Sequence, residues 1–151
     1  MKLVIGITGS TGVIYGIRLL ETLKRLNIET HLVMSEWAEK CIVMETDHDL
    51  NYVKSLATQN SDEANMAASI SSGTHKTDGM IVIPCSMKTL SSIANGYDET
   101  LVARAAGVAL NESRKMILVG LILFSGMAAG GVKIWLNKRK EKQTDMLDSN
   151  I

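Results

Sequence analysis

Several things are scarce in this chain of 151 residues. There are two cysteines, Cys41 and Cys85, too few for a disulfide framework and without metal-ligand spacing. There is no excess of charge: 16 Lys and Arg balance 16 Asp and Glu, so nothing favours nucleic acid or an acidic partner. Aromatic residues make up 4% of the chain, and Pro84 is its single proline. His31, His48 and His75 show no i, i+4 pairing, so no metal site is expected. Glycines and hydroxyl residues interrupt residues 1–12, which therefore do not read as a signal peptide. Against these gaps stand 46% hydrophobic residues, enough for one real core, and too many Val, Ile and Leu for a disordered chain. The expectation is one intracellular, cytoplasmic domain of α/β type.

The neutrality hides two unlike pieces. Residues 1–119 carry 11 basic and 13 acidic side chains, residues 120–151 five basic and three acidic. The texture changes at Gly120, which suggests a domain over 1–119 and a tail over 120–151.

Within the first piece, KLVIGIT (Lys2–Thr8) reads as a buried strand, closed by the turn Gly9-Ser10-Thr11-Gly12. Val13, Ile17, Leu20 and Leu23 then recur at helical spacing. Ile28–Met34 reads as a second strand, and Ser35 as the N-cap of a helix to about Met44. Leu50–Ala57 reads as a short helix, and the polar residues 58–79 as a loop. Met80–Pro84 reads as a third strand, Ser86–Asn95 and Asp98–Glu112 as helices, and Met116–Val119 as the opening of a fourth strand. Alternation of this kind predicts a parallel sheet with helices on both faces, binding ligands outside the carboxyl ends of its strands.

Three strand-to-helix junctions would then share that edge, and all carry hydroxyls. The first, GITGSTGVIYG, is neither G-x-G-x-x-G nor a Walker A loop. It can still offer backbone N–H groups and the Ser10 and Thr11 hydroxyls to a phosphate, or be simply a tight turn. Ser35 can be a cap or a contact. Pro84-Cys85-Ser86-Met87-Lys88-Thr89 builds another donor surface, with Cys85 read as a small buried residue rather than a nucleophile. Glu45 and Asp47 are either acid/base groups or solvated helix-end charges. Arg104, in an Ala/Val-rich helix, should face an anion or an acid.

These residues carry a resemblance. TGSTGVIYGIRLLETL, ETHLVMS, ETD, SISSG, TDGMIVIPCSMKTLSSIANG and LVARAAGVAL closely resemble the UbiX-type flavin prenyltransferases, from Met1 to Val119. The resemblance implies a Rossmann-like flavoprotein domain that binds FMN and, without a metal, joins dimethylallyl from dimethylallyl phosphate to the flavin. The product would serve a UbiD-type decarboxylase, and the enzyme would be a homo-oligomer. Carried over by position, Gly9, Ser10, Thr11, Ser35, Ser86, Met87, Lys88, Thr89 and Arg104 would hold the flavin. Thr11 and Glu45 would be catalytic.

The chain also departs from the family. Thr11 stands where a serine is usual, and Asn111 where a lysine helps hold the substrate phosphate. The Pro-Arg-Glu loop that follows in the family, and a later Tyr and basic residue, have no counterpart here. An FMN-binding protein without transferase activity is the alternative reading. An FMN-dependent cysteine decarboxylase is disfavoured, because no Pro-x-Met-Asn-x-x-Met-Trp motif occurs.

In the tail, Met116–Val132 has no charge, Gly126–Gly130 matches G-x-x-x-G, and Lys138-Arg139-Lys140 follows. Residues 116–136 would suit a membrane-associated helix, which would make the chain a membrane-tethered interaction protein. The favoured expectation is an altered or truncated terminus, with a repacked soluble helix as the third reading.

Overall fold

The computed structural model describes residues 1–120. Five parallel strands, β1 (Lys2–Ile7), β2 (Glu29–Met34), β3 (Gln59–Asp62), β4 (Gly79–Val82) and β5 (Lys115–Leu118), form one sheet in the order β3-β2-β1-β4-β5. Between them run α1 (Val13–Arg25), α2 (Glu36–Glu45), α3 (Leu50–Leu56), α4 (Met87–Ala94) and α5 (Leu101–Asn111), with a short 3-10 turn at Ser69–Ser71. The fold is thus the expected α/β, Rossmann-like arrangement.

The strand period of two sends alternate side chains to opposite faces. Ile5 and Ile7 of β1 with Leu32 and Met34 of β2 meet α1, α2 and α3, through Val13, Ile17, Leu20, Leu23, Ala38, Ile42, Val53 and Leu56. Val4, Val33, Met80 and Val82 point the other way, onto Leu101, Val102, Ala105, Ala106 and Ala109 of α5, Ile93 of α4 and Ile70. Burying each Ile, Leu or Val side chain contributes about 1.5–3 kcal/mol. The alanines of α5 let it lie close to the sheet, as does Gly6, where a Cβ would sit 3.3 Å from Val102 Cγ1.

Helix starts follow local chemistry. Ser35 Oγ accepts from Ala38 N, Asp49 Oδ1 from Asn51 N and Tyr52 N, Ser86 Oγ from Thr89 N, and Thr100 Oγ1 from Ala103 N. At α1 the capping residue is Gly12 at φ 96, a left-handed backbone that suits glycine.

The structure corrects the sequence expectation in three places. Residues 58–79 are not a loop throughout, since they hold β3 and the 3-10 turn. The sheet therefore has five strands rather than four. The reason is that QNSD is polar and largely exposed on the sheet margin, so no apolar run marks it. The last helix begins at Leu101 rather than Asp98, because Thr100 caps it. Finally, 116–136 cannot be one continuous helix: Met116, Ile117 and Leu118 belong to β5 and pair with Met80, Ile81 and Val82. Among the described residues no helix is long and apolar enough to cross a membrane. The rest of the tail, 121–151, with its G-x-x-x-G stretch and basic cluster, lies outside the described residues.

Gly16 tests this packing. A Cβ there would lie 2.6 Å from Ile83 O and 2.9 Å from Ile7 Cδ1. Gly16→Ala is expected to lower stability by about 1–3 kcal/mol, read from urea unfolding of the full chain. An unchanged midpoint would contradict the close contact between α1 and the sheet.

Candidate functional site at the carboxyl edge of the sheet

Parallel strands end together, so β1, β2 and β4 deliver their following helices to one margin. Two hydroxyls join these junctions. Thr8, 1% exposed, follows β1. Its Oγ1 donates to Pro84 O (2.9 Å) and accepts from Ser86 N (2.8 Å), while its own N–H donates to Pro84 O (3.1 Å). Ser35 performs the same service on the other side of β1. Its Oγ accepts from Gly9 N (3.0 Å) as well as from Ala38 N (3.1 Å), and its N–H donates to Ile7 O (3.0 Å). Gly9 is required where it stands, since a Cβ would overlap Trp37 Cβ.

Glu45 reaches the same margin from the end of α2. Its Oε2 accepts from Gly12 N at 3.1 Å, so a carboxylate 33 residues away sits at the positive end of α1. Ser10 is half-buried and Thr11 exposed. Ser86 Oγ lies 3.0 Å from Thr89 Oγ1, leaving hydroxyls at the start of α4 with Met87 and Lys88 exposed beside them. The structure therefore brings Gly9, Ser10, Thr11, Ser35, Ser86, Met87, Lys88, Thr89 and Glu45 to one edge.

Arg104 is held separately. Its NH1 donates to Asp98 Oδ2 (3.1 Å) and its Nε to Ser71 O (3.2 Å). The acid it faces is thus Asp98, on a part-exposed pair.

Three contributors escaped the sequence reading. Thr8 looked like the last residue of a strand. Trp37 looked like a helix residue, yet its backbone and Cβ press on Gly9. Glu63 lay in a segment read as loop, but its Oε2 accepts from Glu36 N (3.3 Å) at the start of α2. Burial holds the Glu63 carboxyl above the usual carboxylate range, against the pull of the Glu36 N–H and the Lys88 ammonium. For Thr8, the only sequence signal was its place directly before a glycine turn.

Chemically the edge offers N–H groups, hydroxyls and one ammonium around a carboxylate. That donor set fits a phosphate-bearing ligand such as FMN, and Glu45 adds a group able to move a proton. Cys85 is no nucleophile: burial pushes its thiol up to about 11, so the thiolate is scarce near neutrality. Among the described residues, no three His, Cys, Asp or Glu side chains converge.

Comparison with known proteins identifies the relatives of this fold. The model of the family described as Flavoprotein matches residues 1–151. A "Probable UbiX-like flavin prenyltransferase" of Escherichia coli O157:H7 is 53% identical over 120 residues, covering 79% of this chain and 61% of its own length. The chain thus spans about three-fifths of that curated relative. The crystal structure of a dodecameric FMN-dependent UbiX-like decarboxylase from Escherichia coli O157:H7 superposes with a TM-score of 0.80 at 52% identity, over 82% of this chain and 68% of that one. AnUbiX (PadA1), solved in complex with FMN and dimethylallyl pyrophosphate, gives a TM-score of 0.79 at 47% identity, over 83% of this chain and 67% of that one. With its fold and about half of its aligned residues in common with these proteins, the chain belongs to the Flavoprotein family, in its UbiX-like group.

Proposed function

We propose that this chain is a flavin prenyltransferase, joining the dimethylallyl group of dimethylallyl phosphate to reduced FMN. The observation that carries this reading is the placement of Glu45 on Gly12 N, inside an edge built of helix N-termini and hydroxyls. Similarity to UbiX-like relatives supports it.

In this reading Gly9, Ser10, Thr11 and Ser35 hold the flavin from the first two junctions, and Ser86, Met87, Lys88 and Thr89 from the third. Arg104 approaches from α5. FMN supplies the ring atoms N5 and C6 that accept the prenyl group. The reaction would break the allylic carbon–oxygen bond, with its electrons leaving on phosphate, and the alkene π bond, which would gain one proton on carbon. The protons displaced from N5 and C6 would have to be received and one returned to the alkene. In this reading Glu45 carries these protons, its carboxylate held by the Gly12 N–H. Thr11 contributes a hydroxyl beside it, while the exposed side chains of Trp37 and Met87 supply apolar cover against water.

The prenylated FMN would pass to a UbiD-type decarboxylase. Assembly as a homo-oligomer is part of the proposal, by likeness to the dodecameric relative. A cytoplasmic location is supported by both cysteines being free thiols.

The protein is expected to copurify with FMN and, given reduced FMN and dimethylallyl phosphate, to yield a flavin of prenylated mass. FMN retained without product would reduce the reading to a flavin-binding protein, and no FMN at all would remove both. Glu45→Gln is expected to slow product formation by about 10²–10⁴-fold while FMN is retained, the range for a lost proton-transfer group. Ser35→Ala is expected to weaken FMN binding by about tenfold, through loss of the bond that sets Gly9. Equal FMN affinity in that variant would remove Ser35 from the site.

A further inference from the structure

The segment 72–78, which leads from the 3-10 turn into β4, closes over the amino-terminal margin of the sheet, opposite the flavin edge. Arg114 clasps it: NH2 donates to Gly73 O (2.7 Å), and NH1 to His75 O (2.8 Å) and Thr77 Oγ1 (3.0 Å). Asp78 completes the clasp, accepting from Lys2 N at 2.6 Å and donating its own N–H to Lys2 O at 2.8 Å.

Beneath this segment His75 meets His31 of β2, with ring centroids 6.2 Å apart and planes at 89°. His31 is 4% exposed, and its Nε2 lies 2.8 Å from Ser61 Oγ on β3. One nitrogen of each ring, His31 Nδ1 and His75 Nε2, is buried without a hydrogen-bond partner. Two neutral rings tolerate this edge-to-face arrangement. A cationic ring is disfavoured, because its charge would be partly desolvated and would face the Lys2 ammonium.

The charged groups around the pair reinforce that preference. Lys2 on β1 acts on both rings, and Arg114, between α5 and β5, acts on His75. The Asp78 carboxylate is taken by Lys2 N, Lys76 on the same segment is a further cation, and Glu112 at the end of α5 lies against Gly73. On β3 the Gln59 side chain favours the charged form of His31, the one group working the other way.

We propose that His31 and His75 form an acid-sensitive latch: as neutral rings they hold the 72–78 segment closed, and protonation of either releases it. Burial lowers both imidazoles from the usual 6.5, and the cations act in the same sense. The opened or unfolded segment, titrating near 6.5, therefore takes up protons before the closed one does. The closed form keeps its full advantage above about pH 6.5 and loses it as the pH falls from there towards the lowered values. An open cavity of about 470 Å³ beside Gly73, Lys76, Thr77, Asp78, Glu112 and Arg114 gives water access to the segment. Release would also slacken the Ser71 carbonyl, just upstream, on which Arg104 Nε is held.

Hydrogen exchange of the full chain at about pH 7.5 and about pH 5.5, corrected for intrinsic rates, tests the latch. Amides of 72–78 are expected to exchange at least about fivefold faster in acid, with α1 unchanged. The double variant His31→Phe/His75→Phe keeps both rings in place without a titrating nitrogen and is expected to lose the acid response, while His75→Phe alone is expected to keep the part due to His31. NMR titration of the wild-type imidazoles is expected to place both below 6.5. Equal protection at the two pH values, a full acid response retained in the double variant, or an imidazole of the pair titrating at or above 6.5 would each overturn the latch. If the variant does not fold, the wild-type exchange and titration decide it.

Discussion

The hydroxyl of Thr8 is the contact on which the ligand edge depends. A buried hydroxyl must find partners, and here both lie on the strand-to-helix junction 76 and 78 residues further along the chain. By donating to Pro84 O and accepting from Ser86 N, Thr8 sets where β1 ends relative to the start of α4. Ser35 sets the same strand end relative to α2 through Gly9 N. Three helix N-termini are consequently locked to one another before any ligand is considered. A flavin held there would contact a preformed surface, and orientation would cost little. Glu45 belongs to the same lock, since its carboxylate occupies the backbone donor at Gly12.

Much of this was legible in the amino-acid order. Residues 3–7, 32–34 and 80–82 are apolar because both faces of a central parallel strand are covered, and Val13, Ile17, Leu20 and Leu23 mark the stripe that α1 buries. Ser35 and Ser86 announce helix starts by residue type alone. Glu45 and Asp47 were both legible as acid/base candidates, and only the family resemblance chose Glu45, because its partner is distant in sequence and is a backbone group of glycine. β3 could not be read because QNSD owes its strand state to pairing with His31, Leu32, Val33 and Met34, not to its own composition. Glu63 was hidden with it. Arg104 was correctly expected to face an acid, but that acid is its own neighbour Asp98, six residues back.

The two ends of the sheet divide the work in different ways. At the carboxyl ends, N–H groups and hydroxyls are concentrated around one carboxylate, which suits anions and proton transfer. At the amino ends, Arg114 spends its guanidinium on backbone carbonyls and two imidazoles stay neutral under cover. The first arrangement is stable because its donors have acceptors or face solvent. The second is stable only while its rings carry no proton. The 3-10 turn and Ser71 connect them, since Arg104 leans on a carbonyl immediately before the clasped segment.

The polarity of β3 has a consequence for the protein's life among other chains. Among the described residues it is the last strand in the order β3-β2-β1-β4-β5, and its outer row of peptide groups is the usual template for unwanted strand addition. Gln59, Asn60, Ser61 and Asp62 make that template short, hydrophilic and, at Asp62, charged. A more apolar β3 would have been easier to recognise and would have left this margin prone to aggregation.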